Sequence, residues 1–236
     1  MHNHIKQIHD FKKLEIHKRL KEFELLWLNG SDEEIFAELA FCILTPQSKA
    51  KVCWAAIVRL RDKNLLLRGN AGQISQELVG VRFKNNKARY MVMAREFFTK
   101  GGRICIKPLL KQFSDVHPVR SKPDSKSRNT TTVTWTSNGV HDAREWLVKN
   151  IKGIGYKEAS HFLRNIGFGE KIAILDRHIL RNLKALGVIE EIPKSISRSK
   201  YMHIEKDMKD LAKQLNIPIS HLDIVFWCKE TGEIFK

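Results

Sequence analysis

The sequence is poor in features that place a protein in a membrane or in an oxidising compartment. No apolar run approaches the roughly 20 residues that a helix needs to cross a bilayer, and residues 1–13 lack the apolar segment of a signal peptide. Cys42, Cys53, Cys105 and Cys228 form no CxxC pair and no cluster with histidine, which argues against a zinc or iron–sulfur site. We therefore expect a cytoplasmic protein with reduced thiols and with no metal or cofactor.

Acidic residues are also scarce relative to basic ones. The chain has 236 residues, with 42 Lys and Arg against 26 Asp and Glu, and its net charge is +16. Such a basic excess favours a polyanionic partner through attraction and counterion release. A membrane partner is not expected, because the chain lacks a dominant basic amphipathic stripe and a lipidation motif. Charge alone leaves two interpretations open, a nucleic-acid partner or a basic surface that only keeps the protein soluble.

Strand patterns are few, and apolar residues recur mostly at helical spacing. Ser31 followed by Glu34 predicts a capping box at a helix start, and Gly101-Gly102 predicts a break. These patterns predict an all-α fold. The predicted helical stretches are 12–28, 35–44, 47–66, 85–98, 142–151, 157–166, a helix that opens at Asp176, and two helices within 197–230.

Residues 115–140 differ in composition from the rest of the chain. The segment is rich in Ser, Thr, Pro, Asn and Lys and has little periodicity. We interpret it as a polar loop or insertion, with a short hairpin through Thr131–Trp135.

The segment Lys152–Ala159 contains two glycines, Gly153 and Gly155, between two predicted helices. The second helix directs its free N–H groups and positive dipole end out of the turn, which suits a DNA phosphate. Turn geometry alone favours a plain connection between antiparallel helices.

Lys157 lies in the first turn of that second helix. A lysine there is usually solvated, but the dipole and partial desolvation favour its uncharged form. A free amine can attack a sugar C1′ and form a Schiff base. Asp176 is expected to cap the next helix. If it lies beside Lys157, it can also accept a proton or stabilise an oxocarbenium charge.

At this point the sequence resembles a known superfamily. KGIGYKEA followed by LDRHIL is similar to the signature of helix-hairpin-helix DNA glycosylases, an LPGVGxKTA-type hairpin before a VDTHI-type segment. The strings WLVKNIKGIGYKEASHFLRNIGF, AILDRHILR and EIPKSISRSKYMHIE resemble the archaeal-type 8-oxoguanine DNA glycosylase/AP lyases. ELAFCILT and GVRFKNNKARY also fit that family. The resemblance covers nearly the whole chain except about 115–140, where we recognise no counterpart.

The resemblance implies two helical subdomains, with a helix-hairpin-helix motif and an active site in the cleft between them. Residues 1–30 would form an N-terminal helix that packs on the C-terminal subdomain. Residues 31–114 would form one helical subdomain, and residues 141–236 would form the helix-hairpin-helix and C-terminal subdomain.

The resemblance also implies catalytic and base-binding residues. Lys157 would be the Schiff-base nucleophile and Asp176 its catalytic partner. Phe83 and Trp227 would sandwich the flipped base, although core packing is the commoner fate of such rings. Asp223, one helical turn before Trp227, could accept hydrogens from the purine edge.

Further residues would contact the base or the DNA. Lys236 would contact the 8-oxo base, and Gln47 would fill the hole left by the flipped nucleotide. Gly153 and Gly155 would hold the hairpin against the DNA backbone. The basic side chains around Phe83 are candidate phosphate contacts, although a solvated helix face explains any one of them equally well. They are Arg82, Lys84, Lys87 and Arg89.

The expected function is a monomeric, bifunctional repair enzyme that acts on double-stranded DNA containing an oxidised purine. It would excise 8-oxoguanine through a lysine Schiff base and nick the strand by β-elimination. We interpret His178 as structural. Two alternatives stay open, a glycosylase for another damaged base and a non-catalytic helix-hairpin-helix module that only binds DNA.

Overall fold

The computed structural model describes residues 2–113 and 137–236, and these residues are mostly helical. The predicted all-α fold is therefore confirmed. The α-helices are α1 (His2–Asn29), α2 (Asp32–Leu44), α3 (Ala50–Asp62), α4 (Leu65–Arg68), α5 (Ala71–Glu77), α6 (Lys84–Phe98), α7 (Ile106–Lys111), α8 (Ser137–Asn150), α9 (Tyr156–Asn165), α10 (Arg177–Ala185), α11 (Arg198–Leu215) and α12 (Ile219–Thr231). A 3-10 turn covers Gly169–Lys171.

Helix α2 is the central helix of the fold. The predicted capping box opens it: the backbone N–H of Glu34 donates to the Ser31 hydroxyl (3.2 Å), and the Ser31 N–H donates to the Glu34 carboxylate (2.8 Å). Every side chain from Ile35 to Leu44 is buried. A helix that is apolar all round must be enclosed by other elements, and α2 contacts α3, α6, α7 and α9.

The break predicted at Gly101-Gly102 is the turn of a two-stranded antiparallel hairpin. Strand β1 (Thr99–Lys100) pairs with β2 (Arg103–Ile104), so that Thr99 lies opposite Ile104. Both glycines have positive φ, 56° and 76°, as a two-residue type I′ turn requires.

Buried apolar side chains form two clusters. The first contains α2, α3 and α6 together with α8 and α9. The second contains α10, α11 and α12 together with Ile5 and Ile16 of α1. Helix α1 lies against α12 and α9, and the chain passes from one cluster to the other between Ile172 and Ala173. The four-part division of the chain made from the sequence stays a prediction.

Helix α8 begins earlier than the sequence predicted. Its first residue is Ser137, so the last four residues of the segment interpreted as a loop, 137–140, are helical. The reason is that Val140, Ala143 and Leu147 are buried at helical spacing. The hairpin predicted through Thr131–Trp135 lies outside the described residues. Within the described residues, no helix is long and apolar enough to cross a membrane.

Candidate active site

The predicted hairpin connects α8 to α9 through residues 151–155. Gly153 has a φ of +87°, and a Cβ at this position would lie 2.5 Å from the Tyr90 ring of α6. Only glycine satisfies both the left-handed backbone and this close approach. Gly155 has an extended backbone and is the N-cap of α9, where its N–H donates to the Glu158 carboxylate (3.2 Å). The hairpin therefore lies on α6, with the start of α9 beside it.

Lys157 extends from the first turn of α9 into a partly enclosed site. Its side chain is 22% exposed, and its Nζ lies 3.6 Å from Glu158 Oε1. Nζ also donates to Thr45 Oγ1 (3.1 Å), whose own hydroxyl donates to the Cys42 carbonyl (2.9 Å). This nitrogen is therefore partly buried and close to a carboxylate. The sequence analysis missed Thr45, which carries no motif of its own.

Asp176 caps α10, as predicted. One of its carboxylate oxygens accepts from the Ile179 N–H (2.9 Å), and this bond holds the side chain at the start of the helix. The carboxylate does not form an ion pair with Lys157, whose ion pair is with Glu158. The expected direct contact with Lys157 is therefore not observed, and the catalytic role of Asp176 stays a prediction. Its negative charge acts on Asp223 instead.

Asp223 is buried in α12 beside a buried arginine of α9. Arg164 Nη1 donates to Asp223 Oδ2 (3.2 Å), while Asp223 Oδ1 has no hydrogen-bond partner among the described residues. Burial raises the pKa of Asp223 to about 6, the charge of Arg164 opposes this increase, and the charge of Asp176 adds to it. One oxygen of Asp223 is thus buried and unpaired among the described residues, and its contact with the base stays a prediction.

Lys236 lies at the other end of a chain of buried polar side chains. Its ammonium group forms an ion pair with Glu38 and lies 3.5 Å from the centroid of the Trp54 ring. Glu38 accepts from Asn165 Nδ2 (3.0 Å), and Arg164 donates to Asn165 Oδ1 (3.3 Å). Because Arg164 also binds Asp223, the chain connects both predicted base contacts. The sequence analysis missed its inner members, although Glu38 is an acidic residue in an apolar run.

The two aromatic residues predicted to hold the base differ in their surroundings. Phe83 is 55% exposed and precedes α6 with a φ of 57°, which is costly for a non-glycine residue. The Arg82 guanidinium lies 5.5 Å from its ring centroid. Trp227 is half-buried on α12, with the His178 ring edge-on at 4.9 Å. The two aromatic rings are not in contact with each other, so a sandwich around a base stays a prediction.

Gln47 is exposed at the tip of the loop between α2 and α3, the Gln47 loop (residues 45–49), and has a φ of 54°. Arg82, Lys84 and Arg89 are also exposed. Lys87 is different: it is 4% exposed, and its ammonium group donates to the Leu44 carbonyl at the end of α2 and to the Pro46 carbonyl of this loop. The prediction that Lys87 contacts phosphate is therefore wrong.

Comparisons with known proteins agree with this geometry. A family profile described as 8-oxoguanine DNA glycosylase matches residues 16–217. The 8-oxoguanine DNA glycosylase/AP lyase of Fusobacterium nucleatum is 45% identical over 99% of this chain and 97% of that protein. The protein of the same name from Methanocaldococcus jannaschii is 39% identical over 98% of this chain and 99% of that protein.

Solved structures give the same result. The 8-oxoguanine DNA glycosylase of Thermotoga maritima has a TM-score of 0.79 at 30% identity and covers 100% of this chain and 98% of its own. The Methanocaldococcus jannaschii 8-oxoguanine glycosylase/lyase, in complex with a 15mer DNA containing 8-oxoguanine, has a TM-score of 0.79 at 37% identity, covering 98% of this chain and 99% of its own.

A glycine hairpin before a half-buried lysine, in an all-α fold, is the arrangement of the helix-hairpin-helix class of DNA glycosylases. Within that class, the chain belongs to the 8-oxoguanine DNA glycosylase family. The resemblance found in the sequence is thereby confirmed.

Proposed function

We propose that the protein excises 8-oxoguanine from duplex DNA and then nicks the strand at the resulting site. Relatives up to 45% identical carry the name 8-oxoguanine DNA glycosylase/AP lyase, and a similar structure holds DNA with this lesion. The observation that carries the proposal is the placement of Lys157 Nζ, which is partly buried and bonded to Thr45 directly behind the glycine hairpin.

Binding precedes the chemistry. The net charge of +16 attracts DNA at long range, and the hairpin at Gly153 and Gly155 lies against the DNA backbone, which glycine allows to approach closely. The damaged nucleotide then leaves the duplex, at a cost of a few kcal/mol in stacking and pairing. Phe83 and Trp227 stack on the base, and the free oxygen of Asp223 accepts a hydrogen bond from it.

The chemistry starts at the Lys157 amine. Its lone pair forms a bond to C1′ while the glycosidic C–N bond breaks, and the base leaves with that electron pair and takes up a proton. Asp176 stabilises the positive charge that develops on the sugar. The new nitrogen–C1′ adduct loses a proton from nitrogen, and its C1′–O4′ bond then breaks while O4′ takes up a proton, which opens the sugar ring and gives an iminium. The iminium acidifies the C2′ proton. Loss of this proton eliminates the 3′ phosphate and cuts the strand.

Borohydride trapping tests this mechanism, because reduction of the iminium joins enzyme and DNA covalently. We expect Lys157→Ala to bind lesion duplex and to trap nothing. Lys152 is exposed and lies in the same hairpin, so Lys152→Ala is the matched control and should still trap. Robust trapping by Lys157→Ala would show that Lys157 is not the Schiff-base nucleophile.

A lesion panel separates the remaining alternatives. We expect release of 8-oxoguanine from duplexes with different opposite bases. Preferential release of another damaged base would change the substrate, and no release from any duplex would leave a DNA-binding module. We further propose that the enzyme acts in the cytoplasm on the nucleoid, which its charge and its free cysteines support.

A further inference from the structure

The ammonium group of Lys87 is buried and makes its hydrogen bonds within the protein. It lies on the face of α6 that also carries Ala88, Met91 and Ala94, and all four residues are buried. Its ammonium group donates to the carbonyl of Leu44, the last residue of α2 (2.7 Å), and it makes two further bonds to the Gln47 loop that follows. These go to the Pro46 carbonyl (2.6 Å) and the Ser48 hydroxyl (3.0 Å).

Three bonds use all three donors of a lysine ammonium group. Among the described residues Lys87 forms no ion pair, and its three hydrogen bonds go to neutral oxygens, so its desolvation is costly. Burial lowers the pKa of Lys87, and the nearby charge of Lys157 lowers it further. The three hydrogen bonds offset this cost, and they restrain the backbone that supplies the acceptor oxygens.

The restrained backbone is the Gln47 loop. Gln47 has a left-handed φ of 54°, a conformation that persists only where the surroundings enforce it. Ser48 Oγ also accepts from the Arg82 N–H (3.0 Å). The loop is therefore joined to the segment that presents Phe83. Thr45, in contrast, is fixed separately by its own bond to the Cys42 carbonyl.

We propose that Lys87 is a positioning residue for eversion of the damaged nucleotide. It holds the Gln47 loop in the conformation in which the Gln47 side chain enters the duplex as the base leaves. This inference rests on the proposed function and adds to it a residue that never touches DNA. Preorganisation of this kind lowers the ordering cost at the moment of insertion.

The test is a double-mutant cycle on single-turnover excision of 8-oxoguanine from duplex DNA, at saturating enzyme. Lys87→Met removes the donors but keeps the length and apolar stem of the side chain. We expect a loss of about tenfold or more in excision rate, after correction for the folded fraction. In a Gln47→Ala background, Lys87→Met should cost almost nothing further, because both changes disable the same element.

Lys100→Met is the control, since Lys100 is an exposed lysine just beyond the end of the same helix, and it should leave the single-turnover rate nearly unchanged. Two results would overturn the proposal: independent, additive losses for Lys87→Met and Gln47→Ala, or a corrected rate for Lys87→Met close to wild type. If Lys87→Met does not fold, Ser48→Ala replaces it, because it removes one of the three acceptors. The double-mutant cycle of Ser48→Ala with Gln47→Ala then tests the proposal by the same criterion.

A second readout separates this proposal from the proposed function. The fluorescence of 2-aminopurine beside the lesion reports eversion without chemistry. If wild type everts the nucleotide but releases no base, the proposed function fails, and the loss of the fluorescence signal in Lys87→Met still tests the role of Lys87. An unchanged signal in that variant would refute it.

Discussion

Two buried arginine–carboxylate pairs lie against helix α9, and the two carboxylates differ in how fully they are hydrogen-bonded. In the first pair, Glu205 accepts from Arg144 Nη1 (2.7 Å) and Nη2 (3.0 Å), and it also accepts from the Ala173 N–H (2.7 Å). Ser160 of α9 accepts from the same arginine. In the second pair, Arg164 of α9 donates to one oxygen of Asp223, and the other oxygen has no partner among the described residues.

The protonation behaviour of the two carboxylates follows from this difference. Burial by itself acts to raise the pKa of both carboxyl groups. In Glu205 the hydrogen bonds and charge of Arg144 outweigh burial, so that its pKa is lower than its ordinary value. In Asp223 burial prevails and the pKa is about 6. In the first pair, called the complete pair, both carboxylate oxygens are bonded, although Arg144 Nε has no partner among the described residues. In the second, called the incomplete pair, Asp223 Oδ1 has no partner among them.

The largest expected effect comes from breaking the complete pair. Arg144→Met leaves the buried Glu205 with only its longer ion pair to Lys209 (3.6 Å), and loss of one partner of a buried pair typically costs about 3–5 kcal/mol of unfolding free energy. Urea unfolding followed by circular dichroism measures this loss. A loss as small as that of a surface substitution would show that the pair is not structural.

A smaller effect is expected at Asp223 of the incomplete pair. Its contribution to the unfolding free energy changes with pH in the direction opposite to that of Glu205. The pKa of Asp223 rises from 3.8 to about 6 on folding, so between about pH 4 and pH 6 the native state holds a proton that the unfolded chain has lost. Wild type should therefore lose up to about 3 kcal/mol of unfolding free energy relative to Asp223→Asn as pH rises through this window.

Glu205 predicts the reverse trend, because a lowered pKa gives stability that is present above the unfolded value and is lost as pH falls. Unfolding free energies of wild type and Asp223→Asn, measured from pH 4 to pH 7, give the difference directly. A flat difference across this range would contradict the raised pKa of Asp223.

The smallest effect is expected at an exposed pair of the same composition. Arg198 donates to Glu145 (2.8 Å), but its side chain is largely in solvent, where such pairs contribute little. Arg198→Met should leave the urea midpoint within experimental error of wild type, which makes it the matched control for Arg144→Met. A clear shift of the midpoint would show that exposure does not distinguish the pairs.

Features with a local signal could be predicted from the sequence. Ser31 with Glu34, Asp176 as a helix cap, and the glycines of the hairpin each depend on residues within one turn of the chain. The structure has each of them where the sequence placed it. The family was equally accessible, because the residues of the hairpin are contiguous.

Features that depend on tertiary contacts could not be predicted in this way. Lys157 meets Thr45 across 112 positions of sequence, and Arg164 meets Asp223 across 59; no local pattern encodes either contact. Lys87 did carry a signal: it shares its helix face with Met91 and Ala94, and a lysine on an apolar face is a candidate for burial. Its three acceptor oxygens, at the end of α2 and in the Gln47 loop, could be identified only from the fold.

The contact between Gly153 and Tyr90 makes helix α6 a common support for the hairpin and for Phe83. Helix α6 supports the hairpin at Tyr90 and follows Phe83 directly. Seven residues separate these two positions, about 10 Å along a helix axis. The length of α6 therefore fixes the distance between the hairpin and Phe83, the two places where we propose that the protein meets the DNA backbone and the flipped base.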